Sequence, residues 1–490
     1  MKEIFSNYSQ KVKKLTDFII NSKSKDSIIY INILSPIRED TYDSKLESFF
    51  LFYKNKFKYI KYQFILLIYN YLGFIYNLLK FVKKERFFLS NNNVIHKYKL
   101  NKNSKIAYLT SINNINQISF KYDSYYGCEN NDEKYLCIIN NGTGIKGSTF
   151  FKKLNDSNKQ NCILIDYGGD LKTLINSYFI ASKVHFYFLL KWFLNPNEFI
   201  NLSVSVDSIS RKSINNLIIF FQIKKVISDL KIEKIITTWE GHPWERLLAK
   251  FCNENSISHC GYVHVGPSIS QFSAFRFLGS DYEPYKLIVP NQTSKKIIKR
   301  IYGNESEIVG SHKANLIYAD AEKYIKKINY SQIKQKALLI IPQGTYYEVK
   351  KLFNLALKVL DSNLQIRIRF HPCLLNDNRM QKYIDNSTKN MKYKSNIIFS
   401  KSSLVQDIKS SSHFLYCASS AAIECLSYGL TPIYYDCGHS LNSLFGYGIP
   451  KKFHAKTSND LRKILDYEID LKYSKKLNHS HKYPFDFKLF

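Results

Sequence analysis

Two adjacent serines stand between an apolar run and a small-residue segment in "LYCASSAAIECLSYGLTPIYY", residues 415–435. The run "HFLYC" predicts a strand, and "AAIECLSYG" predicts a helix that begins directly after the serines. Ser419 and Ser420 would then lie at a helix N-terminus, where hydroxyls and unpaired backbone N–H groups favour an anion such as phosphate. Ser420 could equally do no more than cap the helix. Glu424 falls one place beyond the position of a capping-box glutamate, so it is able to hold a ribose hydroxyl.

Two more turns in this half of the chain place polar side chains at predicted strand ends. In "RIRFHP", His371 and Pro372 follow an alternating strand, and the histidine can donate to a phosphate or remain an ordinary surface residue. In "IIPQGTYYE", Gly344 allows close backbone approach and the hydroxyl of Thr345 can reach an anion. Ligands of open parallel sheets bind beyond the carboxyl ends of the strands, so the informative residues should lie there.

A fourth turn lies in the first half, in "KIITTWEGHPWERLLAKF". The strand ends near Thr238 and a helix begins at Pro243, which leaves Glu240 and His242 in an exposed turn. A carboxylate beside an imidazole can act as a general base. The alternative is that Glu240 pairs with a lysine and His242 caps the helix. The next predicted strand ends at His264, a further candidate for the same chemistry.

Short apolar runs alternate with stretches of helical spacing after residue 100, which predicts an α/β fold with parallel sheets. The runs "ALLIIP", "IRIRF", "NIIFS", "HFLYC" and "TPIYY" predict a Rossmann-like unit in the second half. We therefore expect two Rossmann-like domains that face each other across a cleft. The predicted divisions are an N-terminal extension over 1–100, domains over 101–325 and 326–475, and a tail over 476–490.

The composition limits the class of protein. The chain has 490 residues, 45% of them apolar, with a formal net charge of +31. Such a charge attracts nucleotide-sugars, nucleic acid or an anionic membrane face, although an AT-rich genome would also produce a lysine-rich chain. The basic residues are spread along the chain without a nucleic-acid-binding motif, so we expect no nucleic-acid partner. Nine scattered cysteines without a C-x-x-C pair indicate neither a disulfide framework nor a zinc site.

The segment Phe64 to Val82, "FILLIYNYLGFIYNLLKFV", is apolar and aromatic and has lysines before it and around its end. It approaches the ~20 residues that a membrane span needs, but asparagines, tyrosines and a glycine interrupt it. A buried core helix, a helix in the membrane interface and a true span are all compatible with this pattern. Residues 1–21 lack the apolar region of a secretory signal.

The stretch "TTWEGHPWERLLAKFCNENSISHCGYVHVGPSI" resembles a family of surface carbohydrate biosynthesis proteins. His371-Pro372 and Ser419-Ser420-x-x-x-Glu424, followed by Gly429 and Pro432, resemble the donor domain of GT-B glycosyltransferases. The pattern is most similar to bacterial polysialyltransferases and Kdo transferases, which use CMP-activated acidic sugars, and to CDP-glycerol polymerases. The resemblance covers about 232–312 and 337–435.

This resemblance implies a role for each matched residue. An acidic-acidic-glycine motif supplies the base in polysialyltransferases; here it reads Trp239-Glu240-Gly241, so Glu240 alone matches. Their His-Pro pair and serine motif hold the CMP phosphate and nucleotide, which implies that role for the His371-Pro372 and Ser419-Ser420 pairs. The catalytic His-Gly pair of the CDP-glycerol enzymes is replaced by His264-Val265-Gly266. No D-x-D occurs in a comparable strand-end turn, so we expect no essential metal and no cofactor besides the nucleotide-sugar substrate.

The sequence therefore leads to a hypothesis of a metal-independent GT-B glycosyltransferase of bacterial surface polysaccharide or lipopolysaccharide biosynthesis. It would move a sugar from a nucleotide-activated, CMP-linked donor to a glycan or lipid-linked oligosaccharide acceptor. The expected location is the cytoplasm, peripheral on the inner face of the cytoplasmic membrane, with an anionic membrane surface as partner. A CDP-glycerol-type glycerophosphotransferase and a non-catalytic polysaccharide-assembly partner with a degenerate site are the alternatives.

Overall fold

The structure is a computed structural model. It describes residues 52–88, 104–112, 126, 134–140, 162–165, 171–197, 199–263, 280–327, 336–371, 374, 378–437, 442, 444, 449–467, 471 and 474–475. Two predicted site residues, His264 and Pro372, lie outside the described residues, as does the predicted tail 476–490.

The first sheet has seven strands in the order β3-β2-β1-β4-β5-β6-β7, and the pairs from β3 to β6 are all parallel. Short apolar runs at 105–110, 135–140, 162–167, 233–238 and 287–290 each overlap one of its strands. The strands are β1 Ile106–Ile112, β2 Lys134–Asn140, β3 Cys162–Ile165, β4 Lys234–Thr238, β5 Ser258–Tyr262, β6 Lys286–Val289 and β7 Glu307–Ile308.

Along the chain, the helices described next precede, connect or follow the strands of the first sheet. They are α1 Lys56–Phe88, α2 Leu171–Leu194, α3 Phe199–Ser208, α4 Arg211–Leu230, α5 Pro243–Glu254 and α6 Gln292–Tyr302. Helices α4 and α5 bury Leu217, Ile223 and Leu248 in one core with the apolar side chains of β1 to β4. Helix α5 buries an apolar stripe in the same core, since Trp244, Leu247 and Leu248 are buried and Phe251 packs partly buried against it.

The second sheet has six strands in the order β10-β9-β8-β11-β12-β13, all parallel. Its strands are β8 Lys336–Ile340, β9 Leu364–Ile368, β10 Ile397–Phe399, β11 His413–Tyr416, β12 Thr431–Tyr435 and β13 His454–Ala455. The helices of this half are α7 His312–Lys327, α8 Tyr346–Leu357, α9 Asn378–Thr388, α10 Leu404–Lys409, α11 Ala421–Ser427 and α12 Ser458–Leu465. Helix α8 buries one apolar face in the core, formed by Val349, Leu352, Phe353 and Ala356.

Both sheets reverse their strand order at one point. In the first sheet the chain runs outward from β1 through β2 to β3, then returns to the other side of β1 with β4. In the second sheet β8, β9 and β10 run one way, and β11 returns to the other side of β8. These are doubly wound α/β sheets of the Rossmann kind. The predicted fold class, α/β with two Rossmann-like units, is confirmed.

The described residues form two compact units, which divide between residues 288 and 289. Helix α7 packs with the second sheet, since its Tyr318 and Ala321 belong to the core of that sheet. The division predicted between residues 325 and 326 falls inside this helix.

Helix α1 contains the apolar segment that the sequence left open among three interpretations. One side of the helix is buried at Tyr59, Gln63 and Leu67, and its outer side is exposed. In the described part of the chain, no helix has the length and apolar character to cross a membrane. The exposed outer side of residues 64–76 does not fit a fully buried core helix.

Two glycines give opposite expectations for stability. A Cβ at Gly261, in β5, would lie 3.0 Å from Cγ of both Trp239 and Pro284, whereas nothing lies within 4 Å of a Cβ at Gly73, in α1. We expect Gly261→Ala to lower the free energy of unfolding by about 1–3 kcal/mol because it overpacks a buried strand. Gly73→Ala should raise the free energy of unfolding by about 0.5–1 kcal/mol, because alanine is the better helix former. Denaturant unfolding of both variants measures this, and equal effects would contradict the packing described around Trp239.

Candidate functional site

The polar turns predicted in the second half lie at one edge of the second sheet. Strands β9, β8 and β11 are parallel neighbours, so their carboxyl ends are adjacent. The residues that follow them are His371 after β9, Gly344 and Thr345 after β8, and Ser419 and Ser420 after β11. The strand order reverses between β8 and β11, which is the position where open α/β sheets bind their ligands.

Thr345 caps helix α8. Its Oγ1 accepts a hydrogen bond from the backbone N–H of Glu348 at 3.3 Å, and its own N–H donates to Gln343 O at 2.8 Å. Because the hydroxyl acts as an acceptor in the cap, its own hydrogen can still be donated to a ligand. Gly344, directly before it, is partly exposed. This turn therefore presents a hydroxyl donor at the edge of the sheet.

Ser420 occupies the N-cap position of α11 but does not cap the helix through its side chain. Its backbone is helical, with φ −66° and ψ −22°, and its hydroxyl makes no capping hydrogen bond. Ser420 is exposed and Ser419 is buried, with the carbonyl of Ser419 accepting from Ala422 N at 3.2 Å. The capping interpretation of Ser420 is wrong. Helix α11 has only seven residues, so an anion here would depend on donors from several turns rather than on this helix alone.

His371 is exposed after β9, and its carbonyl accepts from Leu374 N at 2.9 Å. The protein around the ring removes enough solvent to lower the pKa of His371 below its usual value. The imidazole is therefore neutral at neutral pH, a form that still carries one N–H donor. Glu424 lies partly exposed in the first turn of α11, close to the same edge. The ligand-binding roles of both residues stay predictions.

Glu348 is a buried carboxyl beneath this edge that the sequence interpretation missed. It is 0% exposed, and neither carboxyl oxygen has a hydrogen-bond partner of good geometry. Burial raises the pKa of Glu348 to about 7, although the N–H groups of Gln343 and Ala418 approach closely enough to oppose part of that rise. The contact with Ala418 brings the first turn of α8 against the turn that carries Ser419. The spacing Thr345-x-x-Glu348 matches a capping box and could have drawn attention to it.

The first sheet places Glu240 and His242 at its own reversal point, in the turn after β4. His242 Nε2 lies 3.2 Å from Glu240 Oε2, with side chains 35% and 39% exposed. Gly241, between them, has φ +74°, a conformation that favours glycine and lets the two side chains meet. The predicted carboxylate–imidazole pair is therefore formed, and solvent reaches both groups.

Glu245 holds this turn from inside the protein. Its Oε2 accepts from Glu240 N at 2.9 Å and from His242 N at 2.8 Å, while its Oε1 has no partner. Burial raises the pKa of Glu245 to about 7, and the nearby His242 and the two N–H groups oppose part of the rise. Sequence interpretation missed this residue as well, although it stands at the third position of α5, where a capping-box glutamate belongs.

Trp239 and Arg246 form the support behind the turn. The Arg246 guanidinium lies 4.8 Å from the centre of the Trp239 ring, is fully buried, and forms an ion pair with Glu283. Trp239 N donates to Tyr262 O at 2.8 Å, which ties the turn to β5. The buried arginine is thus paired both electrostatically and through the aromatic face, so the position of Glu240 depends on α5 and β5 together.

Within the described ranges, no group of three or more His, Cys, Asp or Glu side chains is arranged to hold a metal ion. The independence of metal expected from the sequence stays a prediction.

Comparison with known proteins gives similarity in fold only. No protein-family model matches the chain, and no curated protein matches its sequence. The UDP-GlcNAc 2-epimerase of Methanocaldococcus jannaschii, in complex with UDP-GlcNAc and UDP, is 11% identical, with TM-score 0.44, over 76% of this chain and 97% of that chain. The UDP-GlcNAc 2-epimerase of Neisseria meningitidis, bound to UDP-GlcNAc, is 11% identical, with TM-score 0.46, over 78% and 95% of the two chains.

A third similar structure is the sucrose-phosphate synthase of Thermosynechococcus elongatus, 10% identical with TM-score 0.43 over 79% of this chain and 96% of that chain. Identities and TM-scores this low assign no activity to the present protein. Its fold class follows from the strand order and pairing of its own two sheets.

The Glu245→Gln variant should become more stable relative to wild type as the pH rises from about 5 to 8. Folded Glu245 has a pKa of about 7 against an ordinary 4.5, so between these values the folded protein holds a proton that the unfolded chain releases. The stability linked to this carboxyl is therefore complete below the ordinary pKa of 4.5. It is lost as the pH rises through the folded pKa of about 7. A neutral glutamine avoids that loss, and its amide oxygen can still accept from both N–H groups.

Denaturant unfolding across this pH range measures the difference, which should grow by on the order of 2 kcal/mol. Glu245→Ala is the control, because it removes the acceptor and should destabilise at every pH by about 1–3 kcal/mol. A stability difference between Glu245→Gln and wild type that is constant with pH would show that the carboxyl is ionised throughout.

Proposed function

We propose that this protein is a glycosyltransferase of bacterial surface polysaccharide or lipopolysaccharide biosynthesis, and that its second unit holds the nucleotide of an activated sugar. The observation that carries the proposal is the position of Thr345, His371 and Ser420 at the ends of three adjacent parallel strands, around the reversal of strand order. Nucleotides bind at this position in doubly wound sheets because the turns there present backbone and side-chain donors together. The sequence resemblance makes a CMP-linked sugar the first donor to test, and a uridine nucleotide-sugar the second.

The donors at this edge suit a phosphate group. Thr345 and Ser420 each offer a hydroxyl, and neutral His371 carries one N–H. Lys351 lies in the second turn of α8, where its ammonium contacts Tyr347, and that contact raises the pKa of Lys351. Hydrogen bonds to a charged oxygen are about twice as strong as neutral ones, so three donors and a nearby ammonium make an effective phosphate site. We propose that these groups, rather than a metal ion, meet the charge of the leaving nucleotide.

Glu240 and His242, in the first unit, suit the removal of a proton from the acceptor hydroxyl. In glycosyl transfer, the acceptor hydroxyl oxygen bonds to the anomeric carbon, the bond from that carbon to the phosphate oxygen breaks, and its electron pair leaves with the nucleotide. The acceptor hydroxyl also loses its proton. Glu240 is the proposed base, and His242, 3.2 Å away, would stabilise its carboxylate or receive the proton itself. Solvent exposure of both side chains leaves room for a glycan or lipid-linked acceptor.

Nucleotide binding tests the donor site. Purified full-length protein should show a higher Tm with CMP, CDP, UMP or UDP, since a ligand that binds only the folded state stabilises it. The double variant Ser420→Ala with His371→Ala should lose most of that shift. Without ligand, its Tm should equal that of ligand-free wild type. Ser362→Ala is the matched control, because this exposed serine lies before β9, at the opposite edge of the sheet. An unchanged shift in the double variant would place the nucleotide elsewhere.

Transfer chemistry tests the base. Glu240→Gln should bind nucleotide as wild type does but release it from a nucleotide-sugar at least ~100-fold more slowly in the presence of acceptor lipid extract. His242→Ala separates the two roles, because a supporting imidazole would reduce the rate less than Glu240→Gln does. Wild-type activity should persist with EDTA. Full activity in Glu240→Gln would exclude Glu240 as the base, and nucleotide binding without any release by wild type would favour a non-catalytic assembly partner.

A further inference from the structure

Helix α1 exposes a continuous apolar stripe. Between Phe64 and Tyr76 every side chain that is exposed is apolar or a tyrosine. The stripe follows the helical repeat of three and four residues, so its members lie on one face. Besides its tyrosines, the exposed members of the stripe are Phe64, Ile65, Ile68, Leu72, Ile75 and Leu79, with exposed fractions from 40% to 64%. The opposite face of the helix packs against the protein.

Helix α2 carries a second stripe, which the sequence did not reveal. Its exposed apolar members are Ile175, Phe179, Phe186, Leu190 and Phe193, each more than half exposed. The buried side of this helix contributes Leu174, Tyr178 and Ala181 to a small core with α4. Helix α2 is thus apolar on both its buried face and its solvent face, which is unusual for a helix at a water-exposed surface.

The two helices that carry the stripes adjoin. Helices α1 and α2 run antiparallel and contact through Phe64 with Trp192, Tyr71 with His185 and Phe74 with Tyr178, at ring-centre distances of 6.0, 5.2 and 4.8 Å. Both helices pack on α3 and α4. Their outer sides therefore point the same way and form one surface, which we name the α1–α2 face.

The α1–α2 face is larger than the apolar patches of ordinary soluble monomers. Each of its eleven named side chains exposes on the order of 100 Å², so the face approaches ~1,000 Å² against about 300–600 Å² for the largest patch of a typical monomer. A surface of this size marks a site of association with a protein or a membrane.

The charge around the face identifies which kind of partner fits it. Helices α1 and α2 together contain ten lysines and arginines and one acidic residue, Glu85. Lys61 is exposed one turn before Ile65 and continues the α1 stripe, and Lys183 is exposed between Phe179 and Phe186 on α2. An apolar face bordered by lysines has the chemistry of a helix that lies in a membrane interface.

We propose that the α1–α2 face docks on the surface of an anionic phospholipid bilayer, with both helices lying in the plane of the interface. The apolar stripes enter the boundary between headgroups and acyl chains, and the lysines contact headgroup phosphates. A second copy of this chain is a poorer occupant, because a two-fold symmetric interface would bring the same lysine-rich helices against each other. The inference is independent of the donor site, since it concerns different residues in the other unit.

Vesicle flotation of the full-length protein tests this proposal. Wild type should float with vesicles of phosphatidylglycerol and phosphatidylcholine, float much less with phosphatidylcholine alone, and be partly released by high salt. The variants Ile68→Glu with Leu72→Glu, and Phe179→Glu with Phe186→Glu, should each reduce the floated fraction about tenfold or more. Tyr285→Glu is the matched control, because Tyr285 is 82% exposed and lies outside the face. Lys58→Glu with Lys61→Glu should remove mainly the salt-sensitive part of binding.

Each variant is first checked for an unchanged Tm and an unchanged nucleotide-induced shift, so that loss of flotation is separate from loss of fold or of the donor site. Flotation of both stripe variants at the wild-type level overturns the proposal. So does failure of wild type to float with anionic vesicles. A fall in mass from dimer to monomer in the stripe variants, without vesicle binding by wild type, would instead identify a second copy as the occupant.

Discussion

The fold depends on one constraint, which is that neighbouring strands of each sheet run parallel. Parallel strands all end at the same edge, so turns that are far apart in the chain become neighbours there. Where the strand order reverses, between β1 and β4 and between β8 and β11, the connecting helices leave toward opposite faces of the sheet and the edge stays open. Each predicted polar turn that the structure describes lies at or beside one of these two positions.

Both units have a buried glutamate beneath the turn at the reversal of strand order. In each, the strand beside the reversal is followed by a helix whose third residue is a glutamate buried beneath the turn, Glu245 in α5 and Glu348 in α8. Burial raises the pKa of both carboxyls to about 7. Glu245 binds the two backbone N–H groups of the turn that presents Glu240 and His242, whereas Glu348 approaches the turn before Ser419. A buried carboxyl whose pKa is raised by burial therefore lies beneath the exposed turn in each unit.

The apolar content of the chain serves two purposes. Most of it fills the cores of the sheets, where the strands and the inner faces of α4, α5 and α8 are buried. Helices α1 and α2 use one apolar face for packing and leave the other exposed. A sequence with apolar residues on all sides of a helix is normally read as buried or membrane-spanning. These two helices show a third outcome, in which packing covers one side only and the lysines at the margins border the other.

The sequence by itself determined the secondary structure and the fold class. Apolar runs of four to six residues between helical stretches located β1 to β4, β6 and β8 to β12, because strand and helix periods differ enough to be told apart. It also located the turns with Glu240, His242, Thr345, His371 and Ser420, since strand ends in such a fold are marked by polar and glycine residues. Only the tertiary structure decided which turns are neighbours, that Ser420 does not cap α11, that Glu245 and Glu348 are buried, and that the stripes of α1 and α2 share one side. These depend on contacts between residues distant in the chain, which local patterns do not record.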